Sequence, residues 1–154
     1  YKRQLYKPAK LQLRCSMENF LKSLIMIDTP AIIQEKSVYA IFDAAKDDSH
    51  FGTLIGKACV DYLHNDYATL CRTVHGDPKV MQPTSALSML PQYDKVSQQE
   101  VSSIYVRTIE SCLEILYLNF PAVVDQMHPD NKKDFLDCLA KATKGDVVNT
   151  LYDD

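Results

Sequence analysis

Residues 97–120, SQQEVSSIYVRTIESCLEILYLNF, decide the fold class of this chain. The stretch opens on Ser97-Gln98-Gln99-Glu100, the pattern of a capping box, in which Ser97 and Glu100 bond each other's free backbone N–H groups. It closes immediately before Pro121, which cannot continue a helix. Between these marks the polar residues Glu100, Ser103, Arg107, Glu110 and Glu114 fall at i, i+3, i+7, i+10 and i+14, and nearly every other position is apolar. That period belongs to a helix covered on most of its circumference by other helices. The expectation is an all-α domain packed around this helix, with Glu110 and Glu114 as its exposed ridge.

Composition agrees. The chain has 154 residues, enough for one domain with a real core, and its hydrophobic share of 46% and charged share of 24% are those of a globular protein. Only 4 glycines occur, which favours helices joined by short turns over a loop-rich or all-β fold. A net charge of −3 implies no global field for nucleic acid. No apolar run is long enough to span a membrane. The start, Tyr1-Lys2-Arg3-Gln4, lacks the apolar block of a signal peptide, and the absence of an initiator Met suggests a segment of a longer protein or a processed chain.

Upstream of the long helix the periodicity predicts two helical hairpins, over 9–46 and 49–75. In the first, a helix over Ala9–Ile27 presents Leu13, Met17, Phe20, Leu21, Leu24 and Ile25. Asp28-Thr29-Pro30 turns the chain into a second helix that runs to about Lys46, with Val38, Ile41, Phe42 and Ala45 inward. In the second hairpin, a helix over Ser49–His64 carries the stripe Phe51, Leu54, Ile55, Ala58, Cys59, Tyr62 and Leu63. Asn65-Asp66 then caps a short helix to His75, with Tyr67, Leu70, Cys71 and Val74 inward and Gly76 as terminator. Residues 77–96 form an irregular connection punctuated by Pro78, Pro83 and Pro91. After the long helix come C-terminal helices over 121–152, one capped by Asp130 and running to Lys144. The plan is six to eight helices in stacked antiparallel pairs, either a piece of a HEAT- or armadillo-like solenoid or a compact bundle. The solenoid comparison is architectural only, because no repeat motif is present.

The chemistry-bearing residues form no catalytic signature. Cys15, Cys59, Cys71, Cys112 and Cys138 are odd in number and lie on or beside apolar faces, so they read as small buried hydrophobes in a reducing compartment. Cys59, His64, Cys71 and His75 could in principle approach one another across the second hairpin, but their spacing matches no common zinc signature. No metal or cofactor is expected. With five Cys and four His (His50, His64, His75, His128), a Cys–His pair is uninformative, and no hydrolase or metalloprotease motif occurs. Asp43, Asp47 and Asp48 read as a solvated helix end and cap. Gly52-Thr53-Leu54-Ile55-Gly56 is a GxxxG pattern, read as close approach of a neighbouring helix. It is no phosphate loop, because Gly56-Lys57 lacks the upstream Gly and the following Ser or Thr.

Charge is more suggestive. Residues 1–27 hold six basic side chains, Lys2, Arg3, Lys7, Lys10, Arg14 and Lys22, against Glu18, a net +5 that leaves −8 for the rest of the chain. The functional expectation is a non-enzymatic, intracellular (cytoplasmic or nuclear) interaction domain, a scaffold presenting a rigid helical surface to a protein partner. Its expected contact residues are Lys2, Arg3, Lys7, Lys10 and Arg14 on the basic segment, and Val80, Met81 and Met89 in the irregular connection. The alternative is a nucleic-acid-binding helical module using the basic segment, with Tyr1 and Tyr6 available for base stacking.

Overall fold

In a computed structural model, residues 2–74 and 95–139 are described, with side chains for 8–72 and 95–139. Among the described residues there are six α-helices and no strand: α1 (Lys2–Ile25), α2 (Val38–Asp47), α3 (Leu54–Val74), α4 (Lys95–Asn119), α5 (Pro121–Asp125) and α6 (Pro129–Asp137). Short 3-10 turns at Pro30–Gln34 and Ser49–Phe51 join α1 to α2 and α2 to α3. No described helix is long and apolar enough to cross a membrane.

The all-α expectation holds, and of its two arrangements the compact bundle is the one found. α1 packs on α2, α3 and α4, and α3 packs along α4. In a solenoid each unit touches only its neighbours in sequence, whereas here α1 reaches α4. From α1, Leu13, Met17, Leu21, Leu24 and Ile25 enter the core, on a spacing that keeps one helical face inward. They meet Ile41, Phe42 and Ala45 of α2, Phe51 of the second 3-10 turn, Val60, Leu63 and Leu70 of α3, and Ile104 and Ile115 of α4. Burying each of the larger side chains contributes about 1.5–3 kcal/mol.

Several boundaries depart from the sequence reading. α1 begins at Lys2 and runs through Pro8, which removes one N–H from its ladder without ending it. The helix expected from Pro30 is divided, because a 3-10 turn ends at Gln34 and α2 begins only after Ser37, whose hydroxyl accepts from the Ala40 N–H. The expected second hairpin does not form, since Leu54–Val74 is one uninterrupted helix. Asn65-Asp66 resembles a cap locally, but Asp66 is drawn into the interior by a partner on α4, described below. The inward face of α3 is consequently Cys59, Val60, Leu63, Tyr67 and Leu70, while Leu54 and Tyr62 are exposed.

At its own start α4 runs two residues past the expected cap, so Ser97 lies inside the helix. α6 is capped by His128, whose ring accepts from the Asp130 N–H at 3.4 Å, and it ends at Asp137. Residues 140–154, including the expected extension to Lys144, lie outside the described residues.

The GxxxG pattern serves a local purpose. Thr53 caps α3, its hydroxyl accepting from the Gly56 N–H at 2.9 Å. A Cβ on Gly56 would stand 2.9 Å from the carbonyl oxygen of Phe51. The close backbone is therefore the preceding 3-10 turn, not a neighbouring helix.

The two inter-helix corners touch. Asp28, in the turn after α1, accepts from the Ser49 hydroxyl at 3.4 Å. Asp48, at the end of α2, accepts from the His50 N–H at 2.9 Å and lies 2.8 Å from His50 Nδ1.

Candidate interaction face

Two residues of the polar stripe of α4, Arg107 and Glu114, reach partners on α3. Arg107 forks onto Asp66, with Nε 3.0 Å from Oδ2 and Nη2 2.6 Å from Oδ1. Seven residues further along, Glu114 accepts a hydrogen bond from the Cys59 thiol at 3.0 Å, and Glu114 is itself only 7% exposed. The expected solvent ridge is thus overturned at Glu114. Its periodicity was that of a surface stripe, but the antiparallel α3 supplies partners at the matching positions Cys59 and Asp66.

The consequence is an apolar arc on the outside. With 100° between successive residues, Tyr105, Val106 and Ile109 lie away from Ile104, Thr108, Ser111 and Ile115, which are buried. Tyr105 is 56% exposed, Val106 51% and Ile109 40%. Leu113 and Leu116 continue the arc half-buried. Toward the C-terminal end, Tyr117 meets the ring of Phe135 on α6 at 6.4 Å between centroids. The broad apolar content that signalled a helix covered on most sides is therefore covered by α1 and α3 on one side and open on another.

The basic residues expected to form a contact stripe are placed differently. Lys10 is 3% exposed and its Nζ lies 2.5 Å from Glu100 on α4. Arg14 donates to the Tyr67 hydroxyl at 3.1 Å and stacks 5.0 Å over that ring. Both act as braces between helices. Burial pushes the Tyr67 phenol up, while Arg14 pulls it back toward its ordinary value. The side chains of Lys2, Arg3 and Lys7 lie outside the described residues, as do Val80, Met81 and Met89.

The cysteines are not uniformly buried. Cys59 is buried, Cys71 and Cys112 are half-buried, and Cys15 and Cys138 are exposed. Burial first, and then the Glu114 carboxylate, raises the Cys59 thiol far above its ordinary range, and burial pushes Cys112 up to about 12. A nucleophilic cysteine needs the opposite, a stabilised thiolate. Of the four Cys and His residues considered for zinc, Cys59 and Cys71 sit about 18 Å apart along one helix at 1.5 Å per residue. His64 stacks on Phe42 with 4.7 Å between ring centroids, and His75 lies outside the described residues. Among the described residues, the better-formed depressions are open to solvent. One is lined by Asp125, Met127, Pro129, Lys132 and Leu136, the other by Thr29, Ile32 and Glu35.

No protein-family model, no curated protein and no solved structure matches this chain.

The outward arc of α4 is the feature that sequence reasoning missed. Its signal was present in the excess of apolar positions in residues 97–120 over those one buried face can absorb.

Proposed function

We propose that this chain is a non-enzymatic, intracellular interaction domain whose outward face on α4 receives an apolar helix of a partner protein. The observation that carries this reading is the exposure of Tyr105, Val106 and Ile109 on one side of a 25-residue helix whose opposite side is anchored in the core. A contiguous apolar face on a rigid element is the usual ground for helix-on-helix recognition. Tyr105 adds large contact area with few rotatable bonds. The suppressed thiolates of Cys59 and Cys112 and the open depressions support a binding rather than a catalytic role. The engagement of Lys10 and Arg14 within the bundle supports this reading over nucleic-acid recognition through the basic segment.

The test is site-specific photocrosslinking in cells from position 106, in the wild-type background and in a Tyr105→Glu/Ile109→Glu double variant carrying the same crosslinker. The expected result is a discrete protein adduct that the double variant loses while its thermal unfolding midpoint is kept. Identical adducts from the wild type and the double variant would remove the reading.

A further inference from the structure

The corner where the two 3-10 connections meet gathers three metal-competent side chains. Asp28 Oδ2 lies 3.7 Å from His50 Nδ1, and Asp48 Oδ1 lies 2.8 Å from the same nitrogen. Among the described residues, this is the set of His, Cys, Asp and Glu side chains whose three ligand atoms all fall within 4.8 Å of one another. The donors come from separate places in the chain, the turn after α1 and the α2–α3 junction, so the fold and not local sequence assembles them.

Charge makes the arrangement unusual. The Asp48 side chain is 8% exposed and that of His50 14%. Neither carboxylate pairs with a lysine or arginine among the described residues. A carboxylate this buried is ordinarily matched by a cation. His50 Nδ1 carries at most one hydrogen, and Asp48, at hydrogen-bond distance, takes it. Asp28 at 3.7 Å is left facing a nitrogen with nothing further to give.

The spacing suits a first-row divalent ion. Metal–ligand bonds of about 2.0–2.1 Å place neighbouring ligands about 2.9 Å apart in octahedral and about 3.3 Å apart in tetrahedral coordination. The observed separations of 2.8 and 3.7 Å lie either side of those values. The outer contacts are also in place. The Ser49 hydroxyl donates to Asp28 Oδ2, and Asn119 of α4 donates to the His50 carbonyl at 2.8 Å, holding the backbone that carries the ring.

We infer that Asp28, Asp48 and His50 form a binding site for a divalent ion of the zinc class, open to solvent on the Asp28 side. On binding, the proton on Nδ1 passes by way of solvent to Nε2, so that the ring stays a neutral imidazole and the Nδ1 lone pair goes to the ion, while Asp48 exchanges its hydrogen bond from Nδ1 for a bond to the metal. No net proton is released when the ring starts neutral and one is released when it starts protonated, and water completes the coordination. The inference is independent of the docking reading for α4.

The test uses the full chain with zinc chloride and with cobalt chloride. Titration calorimetry gives affinity, NMR follows the His50 ring nitrogens, and the visible absorption of the cobalt form reports its ligands. Expected are a shift of the His50 Nδ1 signal and a cobalt spectrum without thiolate charge transfer. Asp28→Asn, whose side chain is 59% exposed, is expected to keep the metal-free melting temperature and lose affinity by about tenfold or more. His50→Gln is expected to abolish the site. Affinity unchanged in both variants would place the ion elsewhere, and a His50 ring unmoved by millimolar zinc would show that no ion binds there. Either result overturns the inference.

Discussion

Arg107 clasps Asp66 across the α3–α4 seam with two hydrogen bonds, of 3.0 and 2.6 Å. Seven residues forward on α4 and seven back on α3, Glu114 meets Cys59. Seven residues are close to two helical turns, about 10.5 Å on each helix. The two pairs therefore lie in one antiparallel register and mark how the helices align.

Breaking the first pair from one side should cost more than removing it whole. The Asp66 side chain is 11% exposed and that of Arg107 48%, so losing the guanidinium leaves a largely buried carboxylate without its cation. Arg107→Ala is expected to destabilise by about 1–3 kcal/mol. Asp66→Asn in the same chain should return part of that. Urea denaturation of the two singles and the double measures the coupling, and strictly additive losses would contradict the pairing.

The orientation of α4 is tested by two isoleucines five residues apart. Ile104 is 2% exposed and Ile109 40%. Ile104→Ala should cost about 2–5 kcal/mol, whereas Ile109→Ala should cost under about 1 kcal/mol. Equal losses in thermal or chemical unfolding would mean that the outward arc is covered.

At Gly56 the ordinary helix rule should reverse. Gly→Ala inside a helix usually stabilises by up to about 1 kcal/mol. Here the added methyl would sit 2.9 Å from the Phe51 carbonyl, a backbone atom with little room to yield. Gly56→Ala is expected to destabilise by about 1–3 kcal/mol, read as a lowered melting temperature. A raised melting temperature would refute the tight corner.

Alkaline pH should loosen the fold through its thiols. Both Cys59 and Cys112 have folded-state pKa values raised above the ordinary thiol value of 9.0. A raised value means that the fold favours the neutral form. The associated stability is complete below about pH 9 and declines as pH climbs toward about 12 for Cys112 and beyond that for Cys59. The limiting slope is about 1.4 kcal/mol per pH unit for each thiol. Urea midpoints between pH 8 and pH 11 should fall more steeply for the wild type than for Cys112→Ala. Near neutral pH a thiol reagent should label Cys15 and Cys138 promptly and Cys59 only on unfolding, and rapid labelling of Cys59 would contradict its burial.

Residues 97–120, the core positions of α1 and the triad Ile41, Phe42 and Ala45 were legible from the sequence because one apolar face repeats there at helical spacing. Asn65-Asp66 was misread because a cap and a buried ion-pair residue look alike locally. Only the arrival of Arg107 from 41 residues away tells them apart. Lys10 and Arg14 looked like a surface stripe for the same reason, since their partners Glu100 and Tyr67 lie 90 and 53 residues on. The gathering of Asp28, Asp48 and His50 had no sequence signature, because two chain reversals had to be placed side by side.

Periodicity of side chains along the backbone, a local property, determined by itself that this chain is helical and where most of its core would come from. Which face of α4 turned inward, and which charged residues became struts instead of surface, was decided only by the packing of α3 and α1 against it. Pairing energies depend on distance through space, and distance along the chain does not encode them.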